Sequence, residues 1–246
     1  MNANQKTDLY YSFSFLSDPE LDFYRQGLAD FLRTEDQTEY SRFKVAKRQN
    51  EWISSRITTK KMMVKILNDK KIAIRDIRIQ KETNGRPYIF VDGKGRLNGS
   101  FSLSHSQGMV FCGYSDAPDM HFGIDLEKIE ERKLEFIMDY FTNDEIKNYQ
   151  QCTSDQKKEY STLIWSAKEA ALKAIGKGLA LDTRKVEVIP QNVVSLIEGW
   201  KMCNVIFREG SEKEYTALWQ EKGGFIRTIS VPAGDPIHLS EIDLEK

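Results

Sequence analysis

The segment Gly123-Ile124-Asp125-Leu126-Glu127 alternates apolar residues with small or acidic ones. Alternation of this kind predicts a β-strand with one buried face. Successive side chains of a strand point to opposite faces, so Asp125 and Glu127 would lie on the same face. The segment therefore predicts two carboxylates side by side on one surface of a sheet.

A second segment, Trp165-Ser166-Ala167-Lys168-Glu169, follows downstream and leads to Lys173. Apolar residues over Tyr160–Ile175 have helical spacing, and Gly176 is a typical helix end. Glu169 and Lys173 are four residues apart, so they would lie one turn apart on the same side of this helix. If the helix packs against the strand, three carboxylates meet one ammonium group.

The chemistry of such a cluster points to a metal ion. An oxygen-only set of ligands suits Mg²⁺, which usually keeps several waters and also takes oxygens from a substrate phosphate. Taken singly, each acid is more simply explained as a solvated side chain at a strand end or on a helix surface. The shared face of the two strand acids favours the joint role. The two segments together predict a metal-assisted reaction on a phosphate.

The same two segments resemble the paired signature of the 4′-phosphopantetheinyl transferases, in the larger, single-chain type similar to the surfactin-synthetase-activating enzymes. Such enzymes move the phosphopantetheine arm of coenzyme A onto a serine of a carrier protein. The resemblance implies that Asp125, Glu127 and Glu169 hold Mg²⁺ together with an oxygen of the coenzyme A pyrophosphate. Glu169, directly or through a metal-bound water, is then the candidate base for the serine.

Lys173 has two interpretations. The resemblance implies that it stabilises or protonates the departing phosphate. The simpler alternative is a surface lysine that forms a weak pair with Glu169 one turn away on the same helix.

Two upstream motifs extend the resemblance. Ser102-Leu103-Ser104-His105-Ser106 resembles a family motif whose Ser and His meet the phosphates at the adenosine end of coenzyme A, which implies this role for Ser104 and His105. Ser102 stands where the family often has Asn. Gly85-Arg86-Pro87 resembles the family's Gly-Lys/Arg-Pro turn, which implies that Arg86 reaches coenzyme A; an arginine in a turn is otherwise usually solvated.

A basic helix is predicted over Arg42–Leu67, whose apolar residues are mostly three or four positions apart. Within it, Lys47–Arg56 resembles the family's basic-x-x-Glu-aromatic-x-x-Gly-Arg pattern, with Ser55 in place of Gly. The resemblance implies that Arg56 binds the 3′-phosphate of coenzyme A and that Arg48 is a further ligand. The other basic residues are expected to form surface charge that faces an acidic carrier; they include Arg42, Lys44, Lys60 and Lys61.

The segment Gly176-Lys177-Gly178-Leu179 resembles the Gly-Lys-Gly-Leu that follows the catalytic helix in the family. It lacks the spacing of a phosphate-binding P-loop. We expect it to end the helix and to shape the rim that faces the carrier. A position of Lys177 near the path of the pantetheine arm is a less favoured alternative.

Composition excludes several classes of protein. A formal net charge of −1 argues against bulk electrostatic binding to nucleic acid. Three widely spaced cysteines without a Cys-x-x-Cys pair suggest free thiols in a reducing compartment. The N-terminal residues lack the apolar core of a signal peptide, and no apolar run is long enough to cross a bilayer. We therefore expect a soluble, cytoplasmic protein that binds neither nucleic acid nor membranes.

The order of predicted elements indicates an α+β fold in two halves. The boundary between the halves is expected near Ala117-Pro118-Asp119. The N-terminal half, residues 1–117, would contain the basic helix and bind coenzyme A. The C-terminal half, residues 118–246, would contain the carboxylates and the catalytic helix. The resemblance implies that the halves are pseudo-symmetric, with the active site in the cleft between them, and that the protein acts as a monomer. Two further helices are predicted over Leu21–Leu32 and Leu134–Tyr149. The other predicted strands are Leu9–Leu16, Tyr88–Val91, Phe101–His105, Met109–Tyr114, Val186–Ile189, Lys201–Phe207, Tyr215–Gln220 and Phe225–Ser230.

The sequence thus predicts transfer of 4′-phosphopantetheine from coenzyme A to a serine of an apo acyl or peptidyl carrier protein, with release of 3′,5′-ADP. It does not distinguish carriers of fatty-acid, polyketide or nonribosomal-peptide synthesis. Two alternatives are a Mg²⁺-dependent nucleotide phosphodiesterase or pyrophosphatase, and a relative that binds coenzyme A or a carrier without catalysis. A nucleic-acid binder built on the basic helix would need an aromatic reading surface or a zinc motif, which the sequence lacks.

Overall fold

The computed structural model describes residues 6–118, 120–177, 181–194, 199–208 and 213–245, without the side chains of residues 192–194 and 213. The chain forms two compact units. The first unit comprises Thr7–Asp119 together with Ile237–Lys246, and the second unit comprises residues 120–236 together with Lys6. Helices and strands occur in both units, which confirms the predicted α+β class. No helix among the described residues combines the length and hydrophobicity needed to span a membrane.

The helices of the described residues are α1 (Asp18–Gln26), α2 (Leu28–Phe31), α3 (Thr34–Ser41), α4 (Ala46–Leu67), α5 (Leu134–Tyr140), α6 (Asn143–Gln151) and α7 (Ser154–Ala174). Short 3₁₀ turns cover Ile74–Asp76 and Thr183–Lys185. The strands are β1 (Thr7–Phe15), β2 (Ile77–Lys81), β3 (Pro87–Val91), β4 (Gly95–Arg96), β5 (Ser100–Ser106), β6 (Met109–Ser115), β7 (Gly123–Lys128), β8 (Val186–Val194), β9 (Lys201–Phe207), β10 (Lys213–Lys222), β11 (Phe225–Pro232) and β12 (Ile237–Glu241).

The first unit packs α4 against a four-stranded sheet with the order β12-β1-β6-β5. Strand β12 pairs with β1 in parallel, and β1, β6 and β5 are antiparallel neighbours. Strands β2, β3 and β4 form a separate antiparallel sheet. The core contains Met62 and Met63 of α4 together with apolar residues of both sheets. No sequence pattern indicated that the last residues of the chain would return to this unit.

Helix α4 differs from the predicted basic helix in its start and in its surroundings. It begins at Ala46 rather than near Arg42, because Val45 has an extended backbone. It is also a central element rather than a solvated one. Lys60, expected as surface charge, is completely buried, and its Nζ donates to the Phe31 carbonyl at 3.0 Å and to Asp36 Oδ2 at 3.1 Å. That expectation was wrong because the unpredicted helix α3 covers this face and supplies the carboxylate.

The second unit packs α7 against a five-stranded antiparallel sheet with the order β7-β11-β10-β9-β8. Helix α7 begins at Ser154, six residues before the predicted start, because Thr153 caps it by accepting a hydrogen bond from the Gln156 amide. The helix predicted over Leu134–Tyr149 is two helices, α5 and α6. They separate at Thr142, which caps α6 and exchanges hydrogen bonds with Glu145.

Candidate active site

Asp125 and Glu127 lie on β7, and Glu169 and Lys173 lie on α7, as the sequence predicted. Among the described strands, β7 is at the edge of its sheet and pairs with β11. Helix α7 contacts both of these strands. The structure therefore brings the acidic strand β7 and helix α7 together within one unit.

Gly123 makes the close approach of α7 possible. A Cβ atom at this position would stand 2.0 Å from the Ala170 carbonyl oxygen and 2.6 Å from the Ala174 amide nitrogen. Both are backbone atoms of α7, so no side-chain movement would relieve the overlap. A second contact fixes the helix, because the hydroxyls of Ser166 and Thr228 are 3.0 Å apart in the buried seam between α7 and β11.

Lys173 is bound mainly to the strand rather than to its neighbour on the helix. Its Nζ donates to Asp125 Oδ1 at 2.8 Å and to the Ile124 carbonyl at 3.0 Å, whereas Glu169 Oε2 is 4.0 Å away. Asp125 itself is buried, with only 2% of its surface exposed. Lys173 is therefore part of the carboxylate cluster, and its pairing with Glu169 is the weaker of its contacts.

The carboxylates of the cluster influence one another strongly. Burial, together with the negative charge of Asp125, raises the pKa of Glu169 to about 7, and Glu127 adds to the shift. The pKa of Glu127 is raised by the same two causes, burial first and Asp125 second. Lys173 and Arg132 oppose both shifts. Three acids thus share a poorly solvated site in which their negative charges repel.

Arg132 is a member of this site that sequence reasoning missed. Its Nη2 donates to Glu127 Oε2 at 2.9 Å, and its guanidinium lies over the rings of Phe136 and Trp165, with centroid distances of 4.7 and 5.9 Å. Arg132 follows β7 in a run of charged residues that looks like an ordinary solvated turn. Only the packing of α5 against α7 shows that it stacks on aromatic rings and stays near the cluster.

A second missed feature is the buried ion pair between Glu145 of α6 and Lys168 of α7. Lys168 Nζ lies 2.7 Å from Glu145 Oε2 and also donates to the carbonyls of Tyr140 and Thr183. The other carboxylate oxygen, Oε1, accepts from the Val188 amide at 2.8 Å. Burial lowers the pKa of Lys168 and raises that of Glu145, and each partner's charge opposes the shift of the other. This pair fixes the helical turn that carries Glu169.

The donor types of the cluster fit Mg²⁺, since all three side chains offer carboxylate oxygens and a divalent cation would offset their repulsion. As the side chains stand, Lys173 takes part of this role by neutralising Asp125. Among the described residues, no three His, Cys, Asp or Glu side chains are arranged so as to hold a metal ion.

The five predicted coenzyme A ligands all lie in the first unit. Arg86 is half-buried in the turn before β3, and Ser104 and His105 lie on β5. Arg48 is largely exposed, with the nearest oxygen of Glu51 3.9 Å from its guanidinium, whereas Arg56 is buried in α4. Their contact with coenzyme A stays a prediction.

The glycine-rich segment after α7 is only partly described. Gly176 has a φ of 70°, and the Lys177 amide donates to the Leu172 carbonyl at 3.2 Å, so this turn ends the helix as predicted. Gly178 and Leu179 lie outside the described residues, and with them the expected carrier-facing rim.

The fold and the site define a class of α+β protein in which a strand and a long helix bring three acids and a lysine together. Residues 121–219 match the family model of the 4′-phosphopantetheinyl transferase superfamily. The chain is 32% identical over 106 residues to the 4′-phosphopantetheinyl transferase Sfp of Bacillus subtilis (strain 168), which covers 43% of this chain and 44% of that protein. It is 26% identical over 152 residues to the 4′-phosphopantetheinyl transferase gsp of Aneurinibacillus migulanus, covering 62% of this chain and 59% of that protein.

A shorter relative is covered almost completely. The chain is 30% identical over 95 residues to the holo-[acyl-carrier-protein] synthase of Mycoplasma mycoides subsp. mycoides SC, covering 38% of this chain and 84% of that protein. The chain therefore belongs to the 4′-phosphopantetheinyl transferase superfamily, as the sequence motifs predicted. With the larger relatives, the match spans about half of their length.

Proposed function

We propose that this protein transfers the 4′-phosphopantetheine group of coenzyme A to a serine of an apo carrier protein and releases 3′,5′-ADP. The observation that carries the proposal is the cluster of Asp125, Glu127 and Glu169 beside Lys173, within the part of the chain that matches the superfamily. The names of its relatives support the reaction type, since they describe phosphopantetheinyl transfer or the synthesis of a holo carrier protein.

In this proposal Asp125, Glu127 and Glu169 would hold Mg²⁺. When bound, the ion would neutralise charge on the attacked phosphate and make 3′,5′-ADP a better leaving group. Glu169, directly or through a water, is the proposed acceptor of the carrier serine's proton. Lys173 supplies a positive charge, and a proton if one is needed, to the departing phosphate.

Coenzyme A recognition is assigned to the first unit. Arg86, Ser104 and His105 would bind the phosphates, Arg56 would bind the 3′-phosphate, and Arg48 would be a further ligand. Guanidinium groups suit this task because they donate two parallel hydrogen bonds to a phosphate. The three cysteines are free, which supports a reducing compartment such as the cytoplasm. We propose that the protein acts there as a monomer on acyl or peptidyl carriers, without nucleic acid or membrane partners.

The test is intact-mass spectrometry of a panel of apo carrier proteins incubated with the protein, coenzyme A and Mg²⁺. The panel includes carriers from fatty-acid, polyketide and nonribosomal-peptide synthesis. We expect at least one carrier to gain a single phosphopantetheinyl group and to lose that gain when EDTA is added. Hydrolysis of coenzyme A without gain of mass on any carrier would favour a phosphodiesterase. Mg²⁺-dependent binding of coenzyme A without either reaction would favour a non-catalytic relative.

A further inference from the structure

Arg56 is a buried cation whose hydrogen bonding is incomplete. Only 6% of its surface is exposed, and its guanidinium lies 4.6 Å from the ring centroid of Trp52, one turn earlier on α4. Among the described residues, Arg56 Nε and Trp52 Nε1 are both buried without a hydrogen-bond partner. Leaving such donors unpaired is costly, and the cost is greater for a charged group than for a neutral one.

The neighbouring Lys60 shows what a satisfied buried cation looks like in the same helix. Its Nζ is 3.1 Å from Asp36 and 3.0 Å from the Phe31 carbonyl, both normal hydrogen-bond distances. Among the described residues, the carboxylate closest to Arg56 is that of Glu39, whose Oε2 is 3.6 Å from its Nη2, and the charge of Asp36 acts on Arg56 as well. That distance is longer than a hydrogen bond, so the two groups attract each other without the paired geometry of a strong arginine–carboxylate contact.

The Glu39 side chain, in contrast to that of Asp36, can rotate away from the guanidinium into solvent. The Glu39 side chain is 44% exposed, whereas that of Asp36 is 9% exposed and hydrogen-bonded to Lys60. Both acids lie on α3, which has only eight residues and covers this part of α4, with its Tyr40 packed against the Trp52 ring. Rotation of the Glu39 side chain into solvent would uncover a guanidinium that already stacks on an aromatic ring.

We propose that Glu39 is an internal competitor for the anion site at Arg56, and that a phosphomonoester must displace its carboxylate in order to bind. The identity of that phosphate, the 3′-phosphate of coenzyme A or of its product 3′,5′-ADP, rests on the proposed function. A planar guanidinium donates two parallel hydrogen bonds to a phosphate. A bound phosphate would therefore accept hydrogen bonds from Arg56 that Glu39, at 3.6 Å, does not accept. Glu39 thereby lowers the affinity for 3′-phosphorylated ligands and is a determinant of specificity.

The experiment is calorimetric titration of the full chain with 3′,5′-ADP and, as the probe that lacks the 3′-phosphate, with 5′-AMP. In Glu39→Gln we expect 3′,5′-ADP to bind about fivefold more tightly, which corresponds to the loss of one partly exposed ion pair. Binding of 5′-AMP should not change. Glu35→Gln is the matched control, because Glu35 is an exposed acid on the same helix and its loss changes the net charge equally.

The role of Arg56 is tested by repeating Glu39→Gln in an Arg56→Gln background, where the gain should disappear; a thermal melt of each variant reports its folding. The proposal is overturned if Glu39→Gln binds 3′,5′-ADP no better than the unchanged protein, if Glu35→Gln or 5′-AMP shows the same gain, or if no variant binds 3′,5′-ADP. If Glu39→Gln binds 3′,5′-ADP more tightly but the protein modifies no carrier, only the proposed reaction is rejected. If carriers are modified but Glu39→Gln shows no gain in affinity for 3′,5′-ADP, only the role of Glu39 as a competitor is rejected.

Discussion

At the scale of single residues, the site depends on how buried charges are balanced. Asp125, Glu127 and Glu169 share a poorly solvated space, and Lys173 and Arg132 are the cations that oppose their repulsion. Buried charges of like sign raise the pKa of carboxyl groups and destabilise the folded state when these groups ionise. The cluster is therefore a source of instability in the absence of a bound cation.

Glu169→Gln should stabilise the metal-free protein at neutral and higher pH. The pKa of Glu169 rises from 4.5 to about 7 on folding, so the folded state binds its proton more tightly than the unfolded state. Stability is consequently lost as the pH rises between these two values, and the full loss persists above about 7. We expect Glu169→Gln to gain on the order of 2 kcal/mol at pH 8, and progressively less as the pH falls toward 4.5.

The measurement is a series of urea unfolding curves in EDTA between pH 5 and pH 8. Glu159→Gln removes an acid from the same helix outside the cluster and serves as the matched control. A gain for Glu169→Gln that is equal at pH 5 and pH 8 would contradict the assigned pKa shift.

At the scale of elements, the pairing of α7 with β7 positions the chemistry. The strand offers acids on the face that the helix covers, and a glycine opens the space in which the two backbones meet. The buried Glu145–Lys168 pair then ties α7 to the start of α6, the end of α5 and the start of β8. The close packing at Gly123 and the buried Glu145–Lys168 pair thus both fix the part of α7 that carries Glu169.

Gly123→Ala should separate the helix from the strand. The added methyl group would overlap backbone atoms of Ala170 and Ala174, so α7 must shift. We expect a destabilisation of about 3 kcal/mol and a larger fractional loss of activity than of stability, since displacement of α7 moves both Glu169 and Lys173. Denaturant unfolding and transfer rates measure the two effects.

The comparison variant is Gly223→Ala in the turn between β10 and β11. Its φ is 63° and nothing lies within 4 Å of the added atom, so it should cost only about 1 kcal/mol through backbone strain. Equal stability of the two variants would show that the close contact at Gly123 is not a constraint.

Lys168→Met should destabilise the protein by about 3 to 5 kcal/mol, because it leaves the Glu145 carboxylate buried without its cation. Changing both partners, Lys168→Met with Glu145→Leu, should recover part of the loss, since neither buried charge remains. The recovery is incomplete because the Tyr140 and Thr183 carbonyls and the Val188 amide each lose a hydrogen-bond partner. Urea unfolding of the single and double variants measures this coupling. A double variant as unstable as the sum of the two single variants would show that the pair acts through separate contacts.

The secondary structure of these elements could be predicted from the sequence better than the contacts that surround them. The alternation around Asp125 and the helical spacing around Glu169 are local signals, and both elements formed as expected. The burial of Lys60 and the role of Arg132 depend on segments distant in sequence, and no local pattern reports such contacts. The early start of α7 did have a signal, the Thr153–Gln156 capping box, which hydrophobic periodicity alone does not detect.

At the scale of the whole molecule, the chain builds two units of similar plan, each with one long helix packed on a sheet that is mainly antiparallel. The last strand, β12, returns to the first unit and pairs with β1, where Tyr11 donates to Glu241 at 3.2 Å. A strand of five residues is too short for its alternation of apolar and polar residues to predict either the strand or its partner. Membership of the superfamily was predictable because the motifs that carry it are short and contiguous.

The proposed function requires the carboxylates of the second unit for Mg²⁺-dependent transfer, and the transfer rate of Asp125→Asn tests this most directly. The change keeps the size of a buried side chain that contacts Lys173 but removes its charge. We expect the rate, followed by the intact mass of an accepted carrier, to fall by about 100-fold or more. Asp235→Asn, in an exposed turn of the same unit, should react at the unchanged rate. A folded Asp125→Asn protein with undiminished, Mg²⁺-dependent transfer would contradict the proposed role of this carboxylate cluster.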